Sequence, residues 1–262
     1  MKNTTLIFTL ALFASAPLAA AETTLRYQLV DEMQLAIKQE IFVGNRREPI
    51  AERKFRMTFQ FNPPEGQQQT VTLEKFSASY TVHDMKQRLP TSHLSGKTFR
   101  IRGDGQSFEV SQSGEGLGLG NITDGNIYPS EIFTNLLPSL PTADIVPGDS
   151  WDSQRNIRSI EGWAFASGTL NSHHVVTGID ESNGKKLLQV KTTATASIMA
   201  AENNQGFIAE GSLEQAIDWE FDLNNGQLIS LKTKEKASGI NTLSQGDLAV
   251  KQTTIYQLKT KK

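Results

Sequence analysis

Residues 54–61 have the sequence Lys-Phe-Arg-Met-Thr-Phe-Gln-Phe, in which polar and apolar side chains alternate without a break. Successive side chains of a β-strand point to opposite faces, so this pattern predicts a strand with one buried face and one face in water. The next residues, Asn-Pro-Pro-Glu-Gly at 62–66, end the strand, because proline cannot donate to a ladder and glycine favours turns. The stretch therefore predicts a sheet that covers a core on one side.

The same alternation extends in both directions. Upstream, residues 25–43 keep their apolar side chains on one parity, which only Asp31 and Gln39 interrupt. This pattern predicts one very long strand or a bent pair, and Asp31 in an apolar position favours a break there. Downstream, the apolar parity switches between Leu73 and Phe76, so we expect a β-bulge near Glu74 or Lys75.

Two turns fix the register of predicted hairpins. Asp104-Gly105 suits a two-residue type I′ turn, which would pair Ile101 with Phe108 and Phe99 with Val110. On the opposite face of that hairpin, Arg100 would meet Glu109. Both predictions depend on the loop being two residues long.

The second turn is Asn224-Asn225-Gly226, where only a loop of odd length keeps the apolar residues on one face. A three-residue loop pairs Trp219 with Leu231 and Phe221 with Ile229, and it places Asp218 opposite Lys232 on the outer face. Gly226 would then adopt the left-handed conformation of a G1 bulge.

One helix is predicted between these β regions, over residues 129–137. Pro129 and Glu131 suit its first turn, and Leu136 lies on its apolar side. The sequence thus predicts a mainly β fold of antiparallel curved sheets, of the half-barrel or sandwich type, with two β modules joined by one short helix. The predicted divisions are a signal peptide at 1–21, an N-terminal module at 22–126, a helical connector at 127–147 and a C-terminal module at 148–262.

The first residues predict export. Lys2 precedes an apolar core at Leu6–Leu12, and Pro17–Ala21 ends in small residues, so we expect cleavage after Ala21. The apolar core is shorter than the roughly 20 residues of a membrane-spanning helix, and no later segment approaches that length. A soluble periplasmic or secreted protein of the bacterial cell envelope is predicted.

Composition narrows the function further. The chain of 262 residues has a formal net charge of −2 and no cysteine. A near balance of charge gives no long-range field for binding nucleic acid or anionic lipid. The absence of cysteine excludes disulfides, thiolate metal sites and a lipidated cysteine anchor.

Four motifs resemble functional sites, and none predicts a catalytic, cofactor-binding or metal-binding residue. Gly148-Asp149-Ser150 resembles the nucleophile motif of exported lipases and esterases of the GDS type, with Ser150 as the nucleophile. Such enzymes need a helix after the serine and a histidine general base, commonly three residues after an aspartate. Because no histidine here has that spacing, we interpret the motif as a turn that leads Trp151 into the core.

The other three motifs have structural interpretations. His173 and His174 are neighbours on a predicted strand and would point to opposite faces, so they cannot share one metal ion. The glycine-rich run at 114–120 matches neither phosphate-binding fingerprint and is interpreted as a loop or irregular strand. The acidic row Asp218, Glu220 and Asp222 is interpreted as a solvated face.

A resemblance becomes visible at Ile145-Val146-Pro147-Gly148-Asp149-Ser150-Trp151. With Gly168-Thr169-Leu170, Gly178-Ile179 and the hairpin 219–231, this element resembles a family of uncharacterised exported bacterial β proteins that carry a Val-x-x-Gly-Asp-x-Trp signature, over about residues 136–262. That family supplies no activity to carry over. In general plan the chain also resembles periplasmic lipoprotein carriers of the half-barrel type, which is an architectural likeness only.

These observations predict a non-enzymatic binding protein for an apolar ligand in the cell envelope. Trp163, Trp219 and Phe221 are the candidate residues that line the ligand site, since curved sheets can enclose a lipid or another apolar molecule. The alternative is a structural or interaction module that binds another envelope protein through a sheet edge. A serine esterase that uses Ser150 is a remote alternative.

Overall fold

The chain forms one large, open, curved antiparallel sheet, which confirms the predicted mainly β class. The computed structural model describes residues 25–29, 31–103, 105, 108–112, 136–141, 145–157, 166–181, 184–200, 210–243 and 246–261. A single turn of 3-10 helix, Ser92–Leu94, follows the fourth strand. The strands are β1 (Glu32–Val43), β2 (Ala51–Phe61), β3 (Gln68–Val82), β4 (Met85–Leu89), β5 (Lys97–Gly103), β6 (Phe108–Gln112), β7 (Ser150–Ile157), β8 (Ala166–Asp180), β9 (Leu187–Ala200), β10 (Glu210–Asp222), β11 (Gln227–Leu243) and β12 (Gly246–Lys261).

Both predicted modules contribute to the same sheet. Its strand order is β6-β5-β3-β2-β1-β12-β11-β10-β9-β8-β7, and β4 pairs with β3 beside this path. The halves join where β1 pairs with β12 from Glu32 opposite Lys261 to Val43 opposite Val250. The division of the chain into separate domains stays a prediction.

Some sequence predictions concern parts of the chain beyond this description. The predicted signal peptide, the glycine-rich run at 114–120, Trp163 and most of the predicted helix at 129–137 lie outside the described residues. Leu136 and Leu137, at the end of that helix, are described and buried. No helix among the described residues is both long and apolar enough to cross a bilayer.

The two predicted irregularities of the strands are confirmed. Asp31 has a left-handed backbone with φ of 64°, and β1 begins at the next residue. In β3, Lys75 pairs with Thr58 and Leu73 pairs with Phe59, so Glu74 is the extra residue of a bulge. The bulge returns the apolar side chains of β3 to the inner face, as the change of parity required.

The register predicted for the first hairpin was wrong. Ile101 pairs with Val110 rather than Phe108, and Glu109 pairs with Arg102 rather than Arg100. The loop spans four residues, 104–107, instead of two. Its position is set by a contact that is distant in sequence, because the Tyr27 amide donates to the Gly105 carbonyl at 2.5 Å. The shift is two residues at Ile101, which therefore keeps its predicted face, and a bulge between Arg100 and Ile101 places Gln112 opposite Arg100.

The register predicted for the second hairpin is confirmed except next to the turn. Trp219 pairs with Leu231 and Asp218 with Lys232, as predicted. Phe221 pairs with Leu228 and not with Ile229, because a bulge lies between Glu220 and Phe221. Gly226 has the predicted left-handed backbone, with φ of +65°.

Replacement of Gly226 by alanine should destabilise the protein by about 2 kcal/mol. The reason is that the left-handed conformation costs an L-residue roughly 1–2 kcal/mol. A Cβ at this position would also lie 2.6 Å from the Arg26 carbonyl oxygen. Gly44→Ala is the matched control, since Gly44 has φ of +60° and nothing within 4 Å of the added atom. Urea unfolding of both variants measures the difference, and equal losses would contradict a role for the contact with Arg26.

Candidate functional site on the inner face of the sheet

The inner face of the sheet carries two apolar clusters. The first cluster is large and aromatic, and the chain itself covers it. Tyr27 and Leu29 from the segment before β1 pack onto it, as do Leu136, Leu137 and Leu140. Its largest fully buried sheet side chains are Met33, Leu35, Phe55, Met57, Phe59, Leu73, Phe99, Trp219, Phe221 and Tyr256.

The second cluster is smaller and differs in composition. Its buried members include three alanines from strands β9 and β11, and among the residues that the structure describes they all belong to the sheet. No buried member comes from residues 25–29 or 136–141. The members are Ile41, Ala51, Leu170, Ala194, Ala196, Ile198, Leu213, Ala237 and Val250.

A row of mostly polar side chains crosses the inner face between the two clusters. Each residue of this row is paired directly with the next one on the neighbouring strand. Gln215 lies opposite Glu235, for example, and Gln39 lies opposite Arg53. The first cluster lies on one side of the row, where Ile217 and Tyr256 are its nearest members. The second cluster lies on the other side, where Leu213 and Ala237 are nearest. In sheet order the row is Ser153, Ser172, Ala194, Gln215, Glu235, Thr254, Gln39, Arg53 and Tyr80.

Glu235 occupies the centre of this row and is buried. Its carboxyl oxygens accept hydrogen bonds from Gln215 Nε2 at 2.7 Å and from the Tyr256 hydroxyl at 3.3 Å. Burial raises the pKa of the Glu235 carboxyl above its usual range, because a charge is poorly solvated there. Gln215 Oε1 is also buried and has no hydrogen-bond partner among the described residues.

Three side chains attach the segment at residues 137–139 to the inner face. The Tyr27 hydroxyl donates to the Pro138 carbonyl at 2.7 Å, Arg155 Nη1 donates to the Leu137 carbonyl at 3.3 Å, and Trp151 Nε1 donates to the Ser139 carbonyl at 3.2 Å. The segment therefore lies over the first cluster with its carbonyl groups satisfied by side chains.

Arg155 interacts electrostatically with a carboxyl group on a distant strand. It lies on β7, and Glu235 lies on β11, so three strands separate them. The positive charge of Arg155 acts to lower the pKa of Glu235, although burial raises that pKa more.

His174 forms a second polar group on the inner face, beside Trp219. Its Nε2 is 2.8 Å from Ser153 Oγ, and its Nδ1 is 2.7 Å from Thr192 Oγ1, which accepts a bond from Trp219 Nε1 at 3.0 Å. The imidazole stacks on Trp151 with a centroid distance of 4.7 Å. Burial lowers the pKa of His174 to about 4, so the ring is neutral at physiological pH.

The sequence-predicted lining residues Trp219 and Phe221 lie in the first cluster. Trp219 packs edge to face against Trp151 at 6.1 Å, and Phe221 packs in the same way against Tyr27 at 5.5 Å. Both side chains are therefore contacted by the chain itself. Their role in lining a ligand site stays a prediction, and so does that of Trp163.

The structure does not bring a histidine to Ser150. Ser150 is exposed at the start of β7, and none of the described histidines forms a hydrogen bond with its hydroxyl. Asp149 Oδ2 accepts from the Val146 amide at 2.8 Å, and Gly148 is left-handed with φ of 95°, which confirms the predicted turn. Trp151 packs against the first cluster, as predicted.

The histidine pair and the acidic row have different outcomes. His173 is exposed and contacts Asp152 at 2.7 Å, whereas His174 is buried, so the two point to opposite faces as predicted. The interpretation of Asp222 as solvated was wrong. This residue is fully buried at the end of β10, and its carboxylate accepts hydrogen bonds from the Asn224 and Asn225 amides of the turn that follows.

Sequence reasoning missed the polar row. Gln39 interrupts a series of apolar residues of one parity, and this alone indicates a polar side chain on the inner face. Gln215 interrupts the apolar series of Trp219 in the same way, and Glu235 interrupts that of Leu231. Arg53 shares the parity of Phe55 in the same way. These polar residues at inward positions indicate that polar side chains interrupt the core. The sequence does not show that they form one continuous row, because that depends on the register of the strands.

The fold and its inner face define the protein as a single curved antiparallel sheet with two apolar clusters. Residues 25–29 and 136–141 cover the first cluster, and the buried members of the second cluster that the structure describes belong to the sheet. No protein-family model matches the chain, and no curated protein matches it. Among solved structures, one that describes lipid–protein interactions in lipovitellin is similar over 89% of this chain, with a TM-score of 0.50 and 10% sequence identity. The match covers 25% of that protein, so this chain spans about a quarter of its length. This similarity is one of fold.

A LolA superfamily protein from Nitrosomonas europaea also matches. The alignment covers 90% of this chain and 89% of that protein with 10% identity, but its TM-score of 0.21 is too low to indicate a common fold. Membership of the Val-x-x-Gly-Asp-x-Trp family stays a prediction.

Proposed function

We propose that this chain is a non-enzymatic binding protein for an apolar ligand, with lipid as the leading class, and that the ligand contacts the second cluster. The observation that carries this proposal is the difference between the clusters. Residues 25–29 and 136–141 cover the first cluster, whereas the buried members of the second cluster that the structure describes belong to the sheet alone. A curved sheet with an apolar inner surface is suited to holding such a ligand.

Two further points support the proposal. Alanine at 51, 194, 196 and 237 keeps the side chains short above the backbone, which favours the close approach of an acyl chain. Lipovitellin, whose structure describes lipid–protein interactions, shares the fold. Export to the periplasm or medium is part of the proposal, and the apolar segment Leu6–Leu12 followed by Ala21 supports it.

Filling the second cluster should weaken binding. Ala196 lies on the inner face of β9, and Ala196→Phe is expected to weaken the binding of the neutral fluorescent dye N-phenyl-1-naphthylamine at least fivefold, by roughly 1 kcal/mol. The matched control is Ala216→Phe, because Ala216 is exposed on the outer face of β10. Dye fluorescence measures affinity, and urea unfolding shows that each variant is folded.

Mass spectrometry of an organic extract of the purified wild-type protein complements this measurement, with a co-purifying lipid as the expected result. If the extract contains no lipid and the wild type does not bind the dye, the proposed function is wrong. Equal weakening by the substitutions at 196 and 216 would contradict the location of the site.

The open edges of the sheet favour a second candidate, an interaction module for another envelope protein. Strands β6 and β7 end the sheet, and among the described residues each pairs with one strand only. A free edge can accept a strand from a partner. Cysteine introduced at exposed Asn156 on β7 should crosslink to a discrete envelope partner if this candidate is right, and failure to recover one would argue against it.

A further inference from the structure

We infer that Arg155 binds the anionic head group of the apolar ligand, either the carboxylate of a fatty acid or the phosphate of a monoacyl phospholipid. This inference rests on the proposed function and specifies the class of ligand. Arg155 projects from the edge strand β7 into the concave interior, where its one hydrogen bond to a described residue goes to the Leu137 carbonyl. The remaining guanidinium donors can bind a further acceptor.

Arg155 forms no ion pair with a described residue, since no carboxylate among them lies within 4.0 Å of the guanidinium. Glu235 interacts with it electrostatically, but Gln215 and Tyr256 already donate to the Glu235 oxygens, and burial favours the neutral form of that carboxyl group. A partly buried cation that is only weakly compensated is costly, and an anionic ligand would lower that cost.

The position of Arg155 fits an amphipathic ligand. Its cross-strand neighbour is Leu170, and continuing the same row leads to Ala196, Leu213 and Ala237, all members of the second cluster. A head group at Arg155 would therefore lie on the same row of paired residues as members of the second cluster, which we propose that its acyl chain contacts. The planar guanidinium forms two parallel hydrogen bonds with a carboxylate or phosphate, which gives such a site directional specificity.

Gln215 provides an independent observation. Its Oε1 is buried and lacks a partner among the described residues, while its Nε2 is held by Glu235. A buried acceptor of this kind is destabilising unless a donor reaches it. A hydroxyl of a glycerol head group is such a donor, so the inner face offers a cation at Arg155 and an acceptor at Gln215 to the polar part of a lipid.

The test compares a fatty acid with its neutral ester. cis-Parinaric acid at pH 8 and its methyl ester are titrated into the full chain by fluorescence, with wild type and Arg155→Met. We expect Arg155→Met to bind the acid at least tenfold more weakly, as loss of a charge-assisted contact predicts, and to bind the ester within twofold of wild type. Arg100→Met is the control, because Arg100 is exposed on β5, and it should change neither affinity.

Arg155→Lys and competition identify the head group. The lysine variant keeps the charge without the planar fork and should bind the acid with intermediate affinity. Displacement of parinaric acid by oleate or by oleoyl lysophosphatidic acid then shows which head group is preferred, and stronger displacement by either one supports the inference. Circular dichroism shows that each variant is folded.

The outcomes separate this inference from the proposed function. If wild type binds acid and ester equally, or if Arg155→Met weakens both equally, the inference is overturned while apolar binding stands. If the lysine variant binds the acid no better than the methionine variant, the role of the charge is overturned. If neither probe binds wild type, the proposed function fails and the inference fails with it.

Discussion

Replacement of Trp219 by alanine is expected to lower the free energy of unfolding by about 3–5 kcal/mol, the range for truncating a large buried aromatic side chain. Only 2% of the Trp219 surface is exposed, and its ring packs edge to face against both Trp151 and His174. The surrounding strands cannot collapse into the space, because their backbones are held by the pairing of Trp219 with Leu231 and Val190. Urea unfolding followed by circular dichroism measures the loss.

Ile240→Ala is the control for Trp219→Ala, since Ile240 is an exposed apolar residue on β11 and its truncation should change stability by no more than about 0.5 kcal/mol. The experiment also examines the prediction that Trp219 lines a ligand site. A loss below about 1 kcal/mol, together with weaker dye binding, would show that the side chain borders an open cavity rather than a packed core.

His174 should make the stability of the protein depend on pH. The folded-state pKa of about 4 lies below the value of about 6.5 for an unfolded histidine. The unfolded state therefore binds a proton first as the pH falls, so the contribution is present above pH 6.5 and is lost as the pH falls towards 4. The full loss is about 3 kcal/mol from this group. We expect the free energy of unfolding of wild type to decrease accordingly between pH 7 and pH 4.

His174→Gln removes this proton uptake and should flatten the profile over that range, even though the variant is less stable at pH 7. His173→Gln is the matched control, because it removes the exposed neighbouring histidine and keeps His174, so the loss of stability towards pH 4 should persist. A nuclear magnetic resonance titration gives the sign directly. If the His174 ring titrates near pH 6.5 in the folded protein, the expected pH dependence is wrong.

Local alternation was sufficient to predict the strands and their faces. The alternation at 54–61 predicts β2, and the polar Asp31 predicts the break before β1. The change of parity between Leu73 and Phe76 predicts the bulge at Glu74. Each of these depends on residues that are neighbours in sequence. The period of two in side-chain direction is then enough to assign a face.

Features that depend on distant contacts could not be predicted in the same way. The loop after Gly103 spans four residues, and Gly105 within it bonds to Tyr27, which is distant in sequence. In the second hairpin a bulge places Leu228 rather than Ile229 opposite Phe221. The polar row has the same origin, since Gln39, Glu235 and Gln215 meet only through the strand order β1-β12-β11-β10. A sequence pattern shows which side chains point inward, but it does not show which of them become neighbours.

The pairing of β1 with β12 has a consequence for the order of folding. The first strand of the sheet completes its hydrogen bonds only with the last one, more than two hundred residues later in synthesis. Contacts so far apart slow folding, because the entropy of closing a long loop must be lost before they form. A polypeptide emerging from the ribosome cannot close this seam until its translation is nearly complete.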